Sequence, residues 1–234
     1  MVKVIQPYAK MMDVDGSADG IRLLRKIEWC ARISHRSEDA QTPTSWERFL
    51  RAVVISHGDW SVVEHASVTV DAVVDRGISH EWVRHRIGAY TQESTRFINY
   101  AKKNTTTQEL INPAVFICPP SIAALQDTVQ DSVYHAWLGG RMTDEEEYQL
   151  YIANGIKAQE ARTCFPNALA TRLVSTYNLR NWRHFFLMRT TREAHPQMRE
   201  VTIPLLNEFK AKIPMLFDDI EPNAMQADNL SLPR

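Results

Sequence analysis

Ala66-Ser67-Val68-Thr69-Val70-Asp71-Ala72-Val73-Val74-Asp75 is the stretch on which the fold turns. Val68, Val70, Ala72 and Val74 alternate with Ser67, Thr69, Asp71 and Asp75, a period of two that predicts a half-buried strand. A second alternating run, Leu169 to Asn178, predicts another strand a hundred residues on. Helical spacings surround both. Ile21, Leu24, Ile27 and Ala31 put a helix over Gly20 to Ile33, and Val2 to Pro7 reads as a strand before it. Pro43 and a Thr44-to-Glu47 capping box open a helix through Phe49, Leu50, Val53 and Val54 that stops near Gly58. A short helix is expected from Ile78 to about Ile87. Ser121 to Trp137 and Thr143 to about Arg162 read as two helices, the second opened by Thr143 and its following acids. Leu179 to Arg189 and Pro196 to Ile213 close the series. Helices with a few antiparallel-type strands make an α+β fold. The βαβα alternation of a doubly wound sheet is missing, as is any G-x-G-x-x-G, which speaks against a Rossmann dinucleotide site.

Composition narrows the class. The 234 residues are 44% hydrophobic and carry a net charge of −1, ordinary for a globular protein and too neutral for one that coats nucleic acid. One domain over residues 1–217 is expected, followed by a polar, proline-punctuated tail over 218–234. Cys30, Cys118 and Cys164 are isolated and odd in number, which points to a reducing compartment. No apolar run approaches the ~18 residues of a membrane span. The opening MVKVIQPYAK has no signal-peptide core. A cytoplasmic protein with no membrane or nucleic-acid partner is the expectation.

The densest chemical signal is the thirteen-residue string Arg84-His85-Arg86-Ile87-Gly88-Ala89-Tyr90-Thr91-Gln92-Glu93-Ser94-Thr95-Arg96. On the expected helix, three adjacent basic side chains spread around most of the circumference, so one would face inward. A buried cation without a partner is costly, and an anionic ligand would satisfy it. A bare triplet reads better as a solvated basic helix end; the longer string favours a ligand. A metal reading of His80, Glu81 and His85 fails on spacing. Five residues on a helix place the two imidazoles ~140° apart, unlike the i, i+4 pair of a zinc helix.

Arg-His-Arg, seven residues and then Ser, here Arg84-His85-Arg86 to Ser94, resembles the signature of the flavin-dependent thymidylate synthases. His57-Gly58, Ser61 to His65, Arg162, Asn178-Leu179-Arg180, Arg189 and His195-Pro196-Gln197 extend the resemblance in order over Gly20 to Ile213. It implies the fold of that family and conversion of dUMP to dTMP. FAD is then the bound cofactor, with NADPH and 5,10-methylenetetrahydrofolate as co-substrates, in a homotetramer whose sites are shared between subunits. Carried over residue by residue, the dUMP contacts are Glu81, Trp82, Val83, Arg84, Gln92, Glu93, Ser94, Thr95, Arg96, Arg162 and Arg189. The FAD contacts are Ser61, Arg84, His85, Arg86, Gln92, Asn178, Leu179, Arg180, His184 and His195. Arg189 is the catalytic residue, polarising the uracil ring, and no metal is implied. Asp59 and His184 stand where histidine and asparagine are common in the family, and Gln159 stands where glutamate is common.

Two points stand beside the resemblance. Trp182, Phe185, Phe186 and Arg189 share an i, i+3, i+4, i+7 stripe, so Arg189 shares the core-facing side of its helix. Alone, that position fits a snorkelling arginine equally well. Cysteine-dependent thymidylate synthases attack uracil with a thiolate in a Pro-Cys-His context. Cys164 precedes Phe165-Pro166 and Cys118 precedes Pro119-Pro120, so no cysteine nucleophile is expected. A small RNA-binding module built on Arg84, Arg86 and Arg96 with Tyr90, Phe97 and Tyr100 is a rival that the near-zero net charge disfavours.

Overall fold

The computed structural model describes residues 2–225. In chain order the elements are β1 (Lys3–Val4), β2 (Tyr8–Met11), α1 (Ser17–Arg32), α2 (Ser45–Leu50), β3 (Ser67–Asp75), α3 (Arg76–Trp82), β4 (Ala89–Gln92), β5 (Val115–Phe116), α4 (Pro120–Ala123), α5 (Asp131–Ala153), α6 (Ala158–Ala161), β6 (Ala170–Asn178), α7 (Leu179–Arg189) and α8 (Pro196–Lys212). A four-stranded sheet has the order β2-β3-β6-β4. Leu179 N donates to Ala66 O at one end of the β3/β6 pair and Arg76 N to Leu169 O at the other, so these strands are antiparallel. The fold is α+β, as read from the sequence. A separate two-stranded ribbon pairs Lys3 with Val115 and Val4 with Phe116 in parallel, a pairing across a long connection that the antiparallel expectation did not include.

The chain forms two compact units. Among the described residues, unit 1 comprises residues 2–8, Ala72–Arg84 and Thr91–Leu173; unit 2 comprises Ala9–Asp71, His85–Tyr90 and residues 174–225. Each is assembled from separated segments, because β3 and β6 both contribute residues to the two units. Composition along the chain cannot register such a division.

Unit 1 packs around Tyr100, Phe116, Tyr148 and Leu169, with Phe165 stacked on Tyr148 at 4.7 Å between centroids. Its long helix corrects an expectation. Ser121–Trp137 and Thr143–Arg162 do not form two helices; α5 runs unbroken over 23 residues, through Gly139 and Gly140. Thr143 Oγ1 donates to Gly139 O, one turn back, rather than capping a new helix, and Asp144 pairs with Arg141 at 2.6 Å.

Unit 2 is held by an aromatic cluster. Trp182, Phe186, Phe209 and Phe217 are all fully buried, and Trp182 Nε1 donates to Val68 O. Helix α1 crosses the end of α8 so closely that a Cβ at Gly20 would lie 1.7 Å from Lys212 O. Thr44 does not cap α2 with its side chain. Instead Thr42 and Ser45 bond reciprocally, Ser45 N to Thr42 Oγ1 at 3.1 Å and Thr42 N to Ser45 Oγ at 2.8 Å. The helix continues as a π-helical segment, Arg51–Ser56, and ends at Gly58, whose φ of 81° is open to glycine.

The tail expected from residue 218 is tied down as far as Ala224, whose carbonyl accepts from Arg192 N. Phe217 and Ile220 are buried, Arg183 forks onto Asp219, and Asn223 N donates to Thr190 O. Residues 226–234 lie outside the described part. Among the described residues no helix is long and apolar enough to cross a membrane.

Candidate functional site

Asp75 starts the site-bearing segment of unit 1. Its carboxylate accepts from Ile78 N at 3.0 Å, capping α3 directly after the strand. The helix then ends at Trp82, with Val83 as its C-cap. The expectation of a helix to Ile87 is thus corrected, and the Arg-His-Arg triplet lies in the turn and extended chain beyond it. The reason is non-local: residues 89–92 are claimed by β4, which pairs with β6. Trp82 is buried, Glu81 and Val83 are half-buried, and Arg84 is exposed.

The polar run that follows in unit 1 is pinned residue by residue. Gln92 Nε2 donates to Ser79 Oγ at 2.9 Å and to Thr171 Oγ1 at 3.3 Å. Glu93 N donates to Arg172 O, and its carboxylate accepts from Tyr100 OH at 3.0 Å. Burial first, and Glu93 second, push the Tyr100 hydroxyl well above its ordinary value, so it stays protonated. Ser94 heads a turn, its Oγ accepting from Arg96 N at 3.3 Å and its carbonyl from Phe97 N and Ile98 N. Thr95 is buried and Arg96 exposed.

Arg162 joins this run from α6. Its Nη1 donates to Thr95 Oγ1 at 2.9 Å and its Nε to Gln159 O at 3.0 Å, which holds the guanidinium in one plane. A cavity of about 650 Å³ opens here, lined by Arg76, Thr95, Gln159, Glu160, Arg162, Thr163, Phe165 and Leu169. That volume is in the range of small-molecule sites. Thr95 and Arg162 were anticipated as ligand contacts; Arg76, Thr163 and Phe165 were not. Arg76 is legible only as the residue after a capping aspartate.

Unit 2 collects most of the residues expected to touch flavin. Arg189 Nε donates to His85 Nε2 at 2.9 Å, and the His85 ring stands edge-on to His184 and Phe185 at 5.8 and 4.9 Å. Burial, then the charges of Arg189 and His184, pull the His85 imidazole from 6.5 down to about 4. It is therefore neutral near pH 7, with Nε2 as acceptor and the proton on Nδ1. Tyr90 OH donates to His85 O and is bonded to Tyr177 OH at 2.6 Å. Gly88 lies against the Tyr177 ring, where a Cβ would come within 2.2 Å, so a larger residue cannot replace it without moving the loop.

Several of the other anticipated flavin residues have structural occupations. Asn178 caps α7, its Oδ1 accepting from Asn181 N at 2.8 Å, while Leu179 is fully buried. Asn181 Nδ2 reaches Ile87 O, which ties the signature loop to α7. Ser61 is exposed on the 3-10 helix Trp60–His65, which packs on α7 and whose Glu64 pairs with Arg180 at 2.6 Å. His195 Nδ1 accepts from Gln197 N as the cap of α8. Arg86 is exposed. Cys164 does not suit nucleophilic attack: burial, with Glu147 and Asp144 nearby, raises its thiol to about 11.

Residues 22–215 match the family model described as thymidylate synthase complementing protein. A flavin-dependent thymidylate synthase of Pyrococcus furiosus is 31% identical over 209 residues, 86% of this chain and 78% of that protein. One from Mycolicibacterium gilvum is 31% identical over 221 residues, 91% and 86% of the two chains. The crystal structure of a UMP/dUMP methylase, PolB from Streptomyces cacaoi, bound with 5-Br dUMP, superposes with a TM-score of 0.72 over 93% of this chain and 96% of that one. At 20% identity this last likeness speaks for the fold alone. With the signature, the fold and a family match over most of its length in agreement, the chain belongs to the thymidylate synthase complementing protein family, that of the flavin-dependent thymidylate synthases.

Proposed function

We propose that this protein methylates dUMP to dTMP. FAD is the bound cofactor, 5,10-methylenetetrahydrofolate the carbon donor and NADPH the reductant. Residues 1–217 act as one catalytic domain of a cytoplasmic homotetramer with shared sites. The observation that carries the reading is the Arg189–His85 pair: a permanent cation hydrogen-bonded to an imidazole held neutral, in the family's signature segment.

The residues of unit 2 fit a flavin. His85 and His184 offer imidazole rings and ring N–H groups, and the exposed Arg86 a cation, a set suited to a planar, carbonyl-rich ring system carrying phosphates. His85, Arg86, Ser61, Asn178, Leu179, Arg180, His184 and His195, with Arg84 and Gln92, are the residues assigned to hold it. Bound and reduced, the flavin supplies the hydride.

Arg189 cannot give up a proton, but its charge stabilises the negative charge that develops on the uracil N3 and O2 as C5 is made nucleophilic. The bond from Nε to His85 orients the guanidinium before substrate arrives. Glu81, Trp82, Val83, Arg84, Gln92, Glu93, Ser94, Thr95, Arg96 and Arg162 form the nucleotide site. Ser94 orients the nucleotide by hydrogen bonding. The neighbouring Glu93 carboxylate is occupied by Tyr100 and is no base for it. Cys164, protonated at neutral pH, is no nucleophile either.

The test is the visible spectrum of the purified protein before and after dUMP, followed by a dTMP assay with both co-substrates. A flavin spectrum that dUMP perturbs, with dTMP formed, is expected. A colourless protein that fails to take up FAD would refute the reading. A flavoprotein that binds dUMP without making dTMP would retain the fold and cofactor and refute the methyl transfer.

A further inference from the structure

We propose that Arg76 is a second anchor for the nucleotide 5′-phosphate, acting with Arg162 across the 650 Å³ cavity of unit 1 and setting the preference for nucleotide over nucleoside. The inference rests on the dUMP reading and adds a residue that the family signature does not contain.

Arg76 is the first residue of α3 and lines the cavity. Its backbone N–H is shared between Asn167 O at 2.9 Å and Leu169 O at 3.0 Å, which fixes it beside the segment that follows Arg162. Its Nη1 is buried and has no hydrogen-bond partner. A guanidinium nitrogen withdrawn from water with nothing to donate to is a costly arrangement, and it is relieved when an anion enters. The lining also carries Arg162, already oriented through Thr95 Oγ1 and Gln159 O. Thr95 and Thr163 add hydroxyls, and position 159 is an uncharged glutamine. Glu160, also on the wall, is the one carboxylate among the lining residues; it is exposed, where water and salt screen it. Two guanidiniums against one screened carboxylate match a phosphate monoester, which carries close to two negative charges and offers three acceptor oxygens.

Arg76→Gln and Arg76→Lys in the flavin-loaded enzyme test this, with dUMP and deoxyuridine affinities read from the flavin spectrum and folding checked by thermal unfolding. Loss of a charged hydrogen bond weakens binding about tenfold to a hundredfold. Arg76→Gln is expected to weaken dUMP by that factor, raising KM far more than it lowers kcat, while leaving deoxyuridine and FAD affinities as in the wild type. Lysine restores the charge without the fork, so Arg76→Lys should fall between the two. Unchanged dUMP affinity, or equal losses for dUMP and deoxyuridine, would overturn the proposal. A loss confined to FAD would also overturn it and assign the cation to the cofactor's phosphates. Should Arg76→Gln not fold, an unchanged ratio of dUMP to deoxyuridine affinity in Arg76→Lys is decisive against it. A wild type that binds no dUMP would instead refute the function, before Arg76 enters the question.

Discussion

Lowering the pH from about 7.5 to about 4 should destabilise this protein through His85. The imidazole is depressed from 6.5 to about 4 in the folded state. In the window between those values the unfolded chain binds a proton that the folded one refuses, so stability falls as pH falls. The contribution is complete above about 6.5 and lost on approach to about 4. A fully buried group displaced this far would contribute about 3 kcal/mol. The His85 ring keeps part of its surface in water, which screens the effect and reduces it to about 1–2 kcal/mol. For a chain of this length that corresponds to a drop of about 2–8 °C in Tm. Glutamine at the same position offers an acceptor to Arg189 Nε but does not titrate, so His85→Gln separates this group from every other acid-sensitive one. Melting curves of both proteins across the window give the comparison. The wild type should lose more Tm than the variant by that margin. Parallel losses would refute the reasoning, since protonation of His85 would then cost the folded state nothing.

Two further substitutions probe the same units. Arg189→Ala should lower turnover by ~10²–10³ while FAD stays bound. It should also let His85 titrate at higher pH, because the neighbouring charge is gone. Unchanged dTMP formation with FAD bound would make Arg189 a structural cation only. Gly20→Ala places a methyl 1.7 Å from the Lys212 carbonyl oxygen, with backbone on both sides of the clash. A loss of about 3 kcal/mol in urea unfolding is expected, and an unmoved midpoint would show that α1 and α8 separate at no cost.

What the sequence determined by itself was local. The alternation around Val68 to Val74 and over Leu169 to Asn178 marks β3 and β6. The aromatic stripe ending in Arg189 marks α7 residue for residue. In β3 and α7 an apolar period runs through the element and burial rewards it directly, whereas the buried face of β6 alternates Thr171 and Ser175 with Leu173 and Tyr177. The signature segment was legible too, because the chemistry of a ligand site demands particular residue types at particular positions. The conformation of that segment was not legible. Whether Arg84 to Arg86 continues a helix depends on β4, whose four residues have meaning only beside β6. Likewise the Thr143 hydroxyl caps nothing, because residues 138–142, which lay between the two expected helices, are helical in α5. The electrostatic properties belong wholly to the tertiary structure. His85 is neutral because α7 delivers Arg189, His184 and Phe185 to it from a hundred residues away. Arg76 Nη1 is buried without a hydrogen-bond partner because the chain around Arg162 returns to form a cavity beside it. Desolvation and charge proximity act through space, and a linear pattern carries no record of which distant groups will share it.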